Sequence, residues 1–301
     1  MNSTTSSEID LMLPTTHVKR EADDWLLVLT AEGIPARLRH GEGGITLEVA
    51  PENQIRAKEI LVAWRAERKE RAKRLNFPVP RNATSFEMAA SYAFALSLLA
   101  FHLGLQAADQ WTDFRSAGAA KAALILDGQW WRLVTALTLH ADLPHVVGNT
   151  LFGGFFLAAV VGRLGIGFGI LGFVVTGALG NFANALYYES AHSSIGASTG
   201  VFGLVGILAG LAAWRRHYTA PPKRGAWVAF AAGLGIVAML GGGGPGIDFS
   251  AHLFGLIAGA ATGLILAAPF ALRVQPHWPA QAIALCGAVT VVLIAWSQTG
   301  A

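Results

Sequence analysis

The chain has 301 residues, of which 53% are hydrophobic and only 14% charged, with 35 glycines, one cysteine and a formal net charge of +3. Soluble domains carry roughly 25% charged residues, so this composition excludes an ordinary water-soluble enzyme and argues for a polytopic membrane protein. The lone Cys286 excludes an intrachain disulfide and a cysteine-cluster metal site, and within an apolar run it is expected to be a small buried hydrophobe.

Residues 1–18 are rich in Ser and Thr, and disorder is expected there. No apolar centre of a cleavable signal peptide is visible in residues 1–20. Residues 19–75 read as a small soluble αββα module. Trp25, Leu26, Leu27, Val28 and Leu29 lie on a helix ending at Gly33, and Gly41, Glu42, Gly43 and Gly44 form a hairpin turn between two alternating strands. Pro51 opens a second helix through Ile55, Ile60 and Trp64. Arg65, Arg68, Lys69, Arg71, Lys73, Arg74 and Arg81 mark residues 65–81 as a basic linker. Because this run touches a membrane segment, it is read as a topology signal rather than a nucleic-acid contact.

From residue 86 onward the chain is mostly apolar. Seven spans are expected, near 87–106, 144–162, 165–187, 195–214, 226–242, 249–268 and 280–297. Residues 107–143 are too polar for a span and are expected to form an interfacial, partly helical loop. Basic residues precede span one and fall between two and three (Arg163), four and five (Arg215, Arg216, Lys223, Arg224) and six and seven (Arg273). This bias predicts a cytoplasmic N-terminus and an outward C-terminus.

Parity then groups the polar residues. Spans two, four and six all run inward, and His145 and Asn149, Ser198, and His252 all fall near their starts. At 1.5 Å rise per residue each lies roughly 5–8 Å below its helix start. Polar groups at one depth in hydrocarbon are a functional hypothesis by default. A serine and an imidazole there suggest a nucleophile and its base. His145 and Asn149, four apart on one face, are natural donors to an oxyanion, joined by the Ser198 amide at a helix N-terminus. The dyad requires close helices. Span six carries Gly255, Gly259 and Gly263, and span four carries Gly200, Gly203, Gly206 and Gly210 after Gly196. Such ridges also serve plain helix packing, but His252 lies on the same face as Gly255 and Gly259. The Gly-x-Ser-x-Gly sequence at 196–200 also fits an α/β-hydrolase elbow. The strands that reading needs are missing from the pattern. Asp248, one turn before His252, falls at the membrane edge, and a dyad without an acid is the simpler proposal.

At these residues the chain resembles the rhomboid intramembrane serine proteases. The resemblance runs through most of residues 87–268. It takes in Gly128, Gln129, Trp130, Trp131, Arg132 and Leu133, then Thr135 and Leu137, then His140, His145 and Asn149. It continues through Gly196, Ala197 and Ser198, Phe202 and Gly203, and Ala251, His252, Gly255 and Gly259. It implies a six-helix membrane core plus one further C-terminal span, an all-α fold to which the N-terminal α+β module is added. It also implies Ser198 as nucleophile, His252 as base, and His145, Asn149 and the Ser198 amide as oxyanion donors. Trp131 and Arg132 match a structural element of the first loop. The substrates it implies are transmembrane proteins in a bacterial-type inner membrane, cut without metal or cofactor and with no nucleic-acid partner. Thr199 stands where the family usually has glycine. A non-catalytic rhomboid-like binder is the runner-up; a transporter, third, would need a charged path that the apolar spans lack.

Overall fold

The computed structural model describes residues 13–41, 43–75, 81–189, 192–219, 248–270 and 276–300. The chain divides into two compact units, Met1–Asn76 and Phe77–Ala301.

In the first unit, α1 (Lys19–Ala31) buries Ala22, Trp25 and Leu29 at helical spacing. Gly33 follows at φ +74°, the left-handed conformation that ends the helix. Strands β1 (Ala36–Gly41) and β2 (Gly44–Val49) pair antiparallel with Gly41 opposite Gly44. Alternation in β2 turns Ile45, Leu47 and Val49 inward. A 3-10 turn, Pro51–Asn53, leads into α2 (Gln54–Leu75), whose Ala57 and Leu61 complete the core.

Two expectations are corrected here. Residues 13–18 are not loose: Thr16 exchanges backbone hydrogen bonds with Ile45 at 2.7 and 3.0 Å and is buried. Residues 65–75 are not linker but the continuation of α2. Arg65 stacks over the Trp25 ring at 4.6 Å, and Arg68 pairs with Asp24 at 3.1 Å, which gives two of these basic side chains partners within the unit.

Among the described residues the second unit is mainly helical, and six helices there are long and apolar enough to cross a membrane. They are α3 (Ser85–Ala107), α7 (Leu143–Leu164), α8 (Ile166–Tyr188), α9 (Ser198–Thr219), α10 (Phe249–Phe270) and α11 (Trp278–Ser297). The expected span at 226–242 lies outside the described residues, as do the glycine-rich stretch 243–247 and the basic positions Lys223, Arg224 and Arg273. The protein is a multi-pass integral membrane protein. A Thr84–Glu87 capping box starts α3, and Arg81 closes a two-point ion pair with Glu87 at 2.6 and 2.8 Å.

Between α3 and α7 the loop expected to be interfacial is partly helical, as expected. It contains α4 (Trp111–Gly118), β3 (Ala120–Lys121), α5 (Ala122–Leu126), α6 (Arg132–Thr135) and a 3-10 turn, Ala136–Thr138. Arg132 is 6% exposed, and its guanidinium donates to Gln129 Oε1 and to the Ser116 and Ala119 carbonyls, closing the end of α4. Trp131 packs against the main core cluster.

That core centres on α9, enclosed by α7, α8 and α10, with Val201, Leu204 and Ile207 buried. The α9–α10 contact is backbone on backbone. A Cβ on Gly255 would meet the Thr199 carbonyl oxygen at 2.2 Å, one on Gly259 the Gly203 oxygen at 2.0 Å, and one on Gly263 the Ile207 oxygen at 2.4 Å. Gly206 and Gly210 return the contact onto the Leu256 and Ala260 oxygens. The remaining glycines of α9 serve another neighbour. Gly200 lies under the Phe173 ring and Gly203 against Thr176, both on α8. Cys286, expected buried, is exposed on α11.

Candidate active site

The site is assembled at one end of α7, α9 and α10. Ser198 is the first residue of α9, so Gly196 and Ala197 form a turn ahead of the helix rather than its first residues. His145 and Asn149 are the third and seventh residues of α7, and His252 is the fourth of α10.

The Ser198 hydroxyl and His252 Nε2 are 2.8 Å apart, within the range needed for proton transfer. With the hydroxyl donating, the ring proton resides on Nδ1, and that atom has no protein partner among the described residues. The Phe202 ring packs over the imidazole at 4.6 Å between centroids, which fixes its plane without an acid.

Asp248 therefore has a different task from a triad acid. Its Oδ1 accepts from the Ala251 amide at 3.1 Å and the Ser250 hydroxyl at 2.8 Å, capping α10. Its Oδ2 accepts from Asn184 on α8 at 2.8 Å and pairs with His192. Burial opposes ionisation of this carboxyl, but the bonds from His192, Ala251 and Ser250 outweigh it and hold the pKa below the usual carboxylate value. One carboxylate thus ties the helix bearing the imidazole to the loop leading to the serine. The sequence argument missed this, although an Asp directly before an apolar run is a standard helix-start signal.

Gly196 adopts φ +140°, open to glycine and costly for other residues. A Cβ there would lie 2.9 Å from His145 Nε2 and 3.3 Å from Ser198 Oγ, so imidazole and hydroxyl converge on its Cα. Asp142 caps α7 through the His145 amide at 2.8 Å. The Ala141 amide approaches His145 Nδ1 at 3.5 Å, which leaves the Nε2 proton for the Gly196 side. Asn149 Nδ2 is buried with no acceptor among the described residues. Both residues line the cavity of about 660 Å³ onto which Ser198 and His252 also open, with Phe152 and Phe156 on its apolar side.

The turn before Ser198 is held from several directions. Strand β4 (Ser193–Ser194) pairs with β3 of the interfacial loop, a contact between segments too short to read from sequence. The Gly196 amide donates to the Ala136 carbonyl at 2.9 Å, and the Ala197 amide to His140 Nε2 at 3.3 Å. Burial pushes the His140 pKa down to about 3, so the ring stays neutral and able to accept. Thr199 fits its unusual place: its methyl lies in a notch formed by Gly180 of α8 and Gly255 of α10. No group of His, Cys, Asp or Glu among the described residues has the arrangement of a metal site.

A family profile described as Rhomboid domain matches residues 127–269. The chain is 33% identical over 161 residues to the rhomboid protease GluP of Bacillus subtilis, covering 52% of this chain and 31% of that protein. To the putative rhomboid protease YdcA of the same organism it is 27% identical over 135 residues, 45% of this chain and 66% of the relative. Rhomboid-like protease 1 of Toxoplasma gondii is 32% identical over 154 residues, 49% of this chain and 51% of that protein. The chain spans less than two thirds of the length of each of these relatives. Residues 127–269, which carry every residue of the candidate site, are similar to the rhomboid domain.

Proposed function

We propose that the protein is an intramembrane serine endopeptidase that cuts transmembrane segments of other membrane proteins. The observation that carries this reading is the 2.8 Å contact between Ser198 Oγ and His252 Nε2 beside an unpartnered buried Asn149 amide. Ser198 Oγ attacks the scissile carbonyl carbon while His252 Nε2 takes its proton. The oxygen of the tetrahedral intermediate accepts from Asn149 Nδ2, His145 Nε2 and the Ser198 amide, which as a first-turn N–H has no intrahelical acceptor. His252 then protonates the leaving amine, and water hydrolyses the acyl-enzyme by the same route in reverse. No step requires a metal or cofactor.

The names of the three relatives described above all contain the word protease, which favours catalysis over a binding role, as does the intact serine–histidine pair. We place the N-terminus in the cytoplasm of a bacterial-type inner membrane, the C-terminus outside and the site near the outer leaflet, on the distribution of basic residues. The domain limits we adopt are a soluble module ending at residue 75, a membrane core over 87–268 and an added helix over 269–301. The test is a fluorophosphonate probe applied to membranes, with peptide mapping of the label. Ser198 is expected to carry it in the wild type, and H252A to lose it. Label on another residue, or full labelling of H252A, contradicts the dyad.

A further inference from the structure

Helix α11 is fastened to the membrane unit by a polar side chain at each end. At one end, Gln281 bridges the turn between α7 and α8. Its Nε2 donates to the Leu164 carbonyl at 2.7 Å and its Oε1 accepts from the Phe168 amide at 3.2 Å. At the other end, the Trp296 indole sits against Phe101 of α3 and Phe114 of α4, with ring centroids 5.8 and 5.1 Å away. The ring covers Gly118, where a Cβ would meet it at 2.7 Å. Its Nε1 donates to Thr138 Oγ1 at 3.2 Å. Between these ends lies a largely apolar cavity of about 350 Å³, lined by α3, α8, α11 and the 134–138 segment. Ala284, Ala288 and Ala295 are buried along the helix, and Gln281 and Trp296 add polar ties at its two ends.

The point that Trp296 grips is close in sequence to the nucleophile's support. Ala136 and His140, two residues either side of Thr138, receive the Gly196 and Ala197 amides. Trp111 of α4 holds the same segment from another side, through Nε1 to the His140 carbonyl at 2.9 Å. Thr138 Oγ1 also donates back to the Thr135 carbonyl at 2.8 Å, so the indole bond and the local turn share one hydroxyl. A displacement of 136–140 would move Gly196 and Ala197, and with them Ser198.

We infer that α11 is a positioning element of the proteolytic site, acting through Trp296 and Thr138 on the 136–140 segment that carries the turn before Ser198. This rests on the protease reading above. Neither residue touches the reacting atoms; both set where the Ser198 hydroxyl stands relative to His252 and to the oxyanion donors.

The experiment compares full-length wild type, S198A, T138V, T138S, W296F and the double variant T138V/W296F in detergent. Four quantities are read: the rate of fluorophosphonate labelling, kcat and KM for a transmembrane model substrate, and the thermal midpoint. T138V keeps the shape and removes the acceptor, and T138S restores it. We expect T138V and W296F to label roughly 10-fold more slowly, since a misplacement of about 1 Å can cost on the order of 100-fold in rate. In both, kcat should fall with KM unchanged, T138S should recover the wild-type rate, and the double variant should be no slower than either single one. Wild-type labelling rates in folded T138V and W296F overturn the inference while leaving the protease reading intact. So does an equal loss in T138V and T138S, which would make the hydroxyl irrelevant. If T138V or W296F is too unstable to assay, the comparison of T138S with wild type and the KM–kcat split of the surviving single variant decide. A wild type whose label survives S198A overturns both claims at once.

Discussion

Ser198 owes its reach to being the first residue of α9. There its amide is free of an intrahelical partner and its hydroxyl points out of the helix start toward His252. Asn149 shows the complementary feature, a buried Nδ2 donor with nothing in the described protein to accept from it. A buried donor without a partner typically costs about 1–3 kcal/mol, and a reacting oxyanion would satisfy it. N149A is therefore expected to lower kcat about 10- to 1000-fold with little change in KM, as removal of one oxyanion donor does. Unchanged turnover would assign Asn149 to packing. Asp248 makes a pH-dependent prediction. Its folded pKa is depressed, so its stabilising contribution is present in full above the ordinary carboxylate value near 4 and is lost as pH falls through the lower folded value. D248N should lower stability by about 2 kcal/mol at pH 7, as loss of charged hydrogen bonds typically does. The gap in thermal midpoint between D248N and wild type should close at acid pH. A pH-independent gap would show that the carboxylate's charge is not what α10 depends on.

Among the elements, the α9–α10 pair decides whether the dyad can exist. Gly255, Gly259 and Gly263 each meet a carbonyl oxygen of α9, and the backbone cannot yield as a flexible side chain can. This much was legible in the sequence, because small residues recur every fourth position on the face that carries His252. The partition of α9 was not. Gly200 and Gly203 face Phe173 and Thr176 of α8, and only tertiary packing distinguishes one small-residue face from another. The β3–β4 pairing and the His140 bond to the Ala197 amide were equally illegible, since each joins segments more than 50 residues apart with no periodic signal. G255V should abolish cleavage and lower the thermal midpoint, because even its Cβ overlaps the Thr199 oxygen; overpacking costs about 1–3 kcal/mol. G263V should lower the midpoint similarly while retaining part of the activity, since it lies two turns farther from His252. Wild-type cleavage by G255V would mean that α10 does not meet α9 on this face.

At the scale of the whole molecule, every residue of the proposed site lies in the unit Phe77–Ala301, and the unit Met1–Asn76 has its own core around Trp25, Leu29 and Leu61. Composition made this division readable: alternating and amphipathic patterns stop near residue 75 and apolar runs begin near 86. Deleting residues 1–76 should leave an inserted protein that labels at the wild-type rate, with Arg81 and Glu87 still closing the start of α3. Loss of label in a well-inserted truncation would give the soluble module a direct part in catalysis. The central claim is that this membrane unit cuts a transmembrane segment with Ser198. The most direct measurement reconstitutes the full-length protein in liposomes with a single-span substrate and maps the product termini by mass spectrometry. The account predicts one cut near the outer end of the substrate helix with the wild type and none with S198A. Product formation by S198A at the wild-type rate, or cleavage confined to the soluble parts of the substrate, would contradict it.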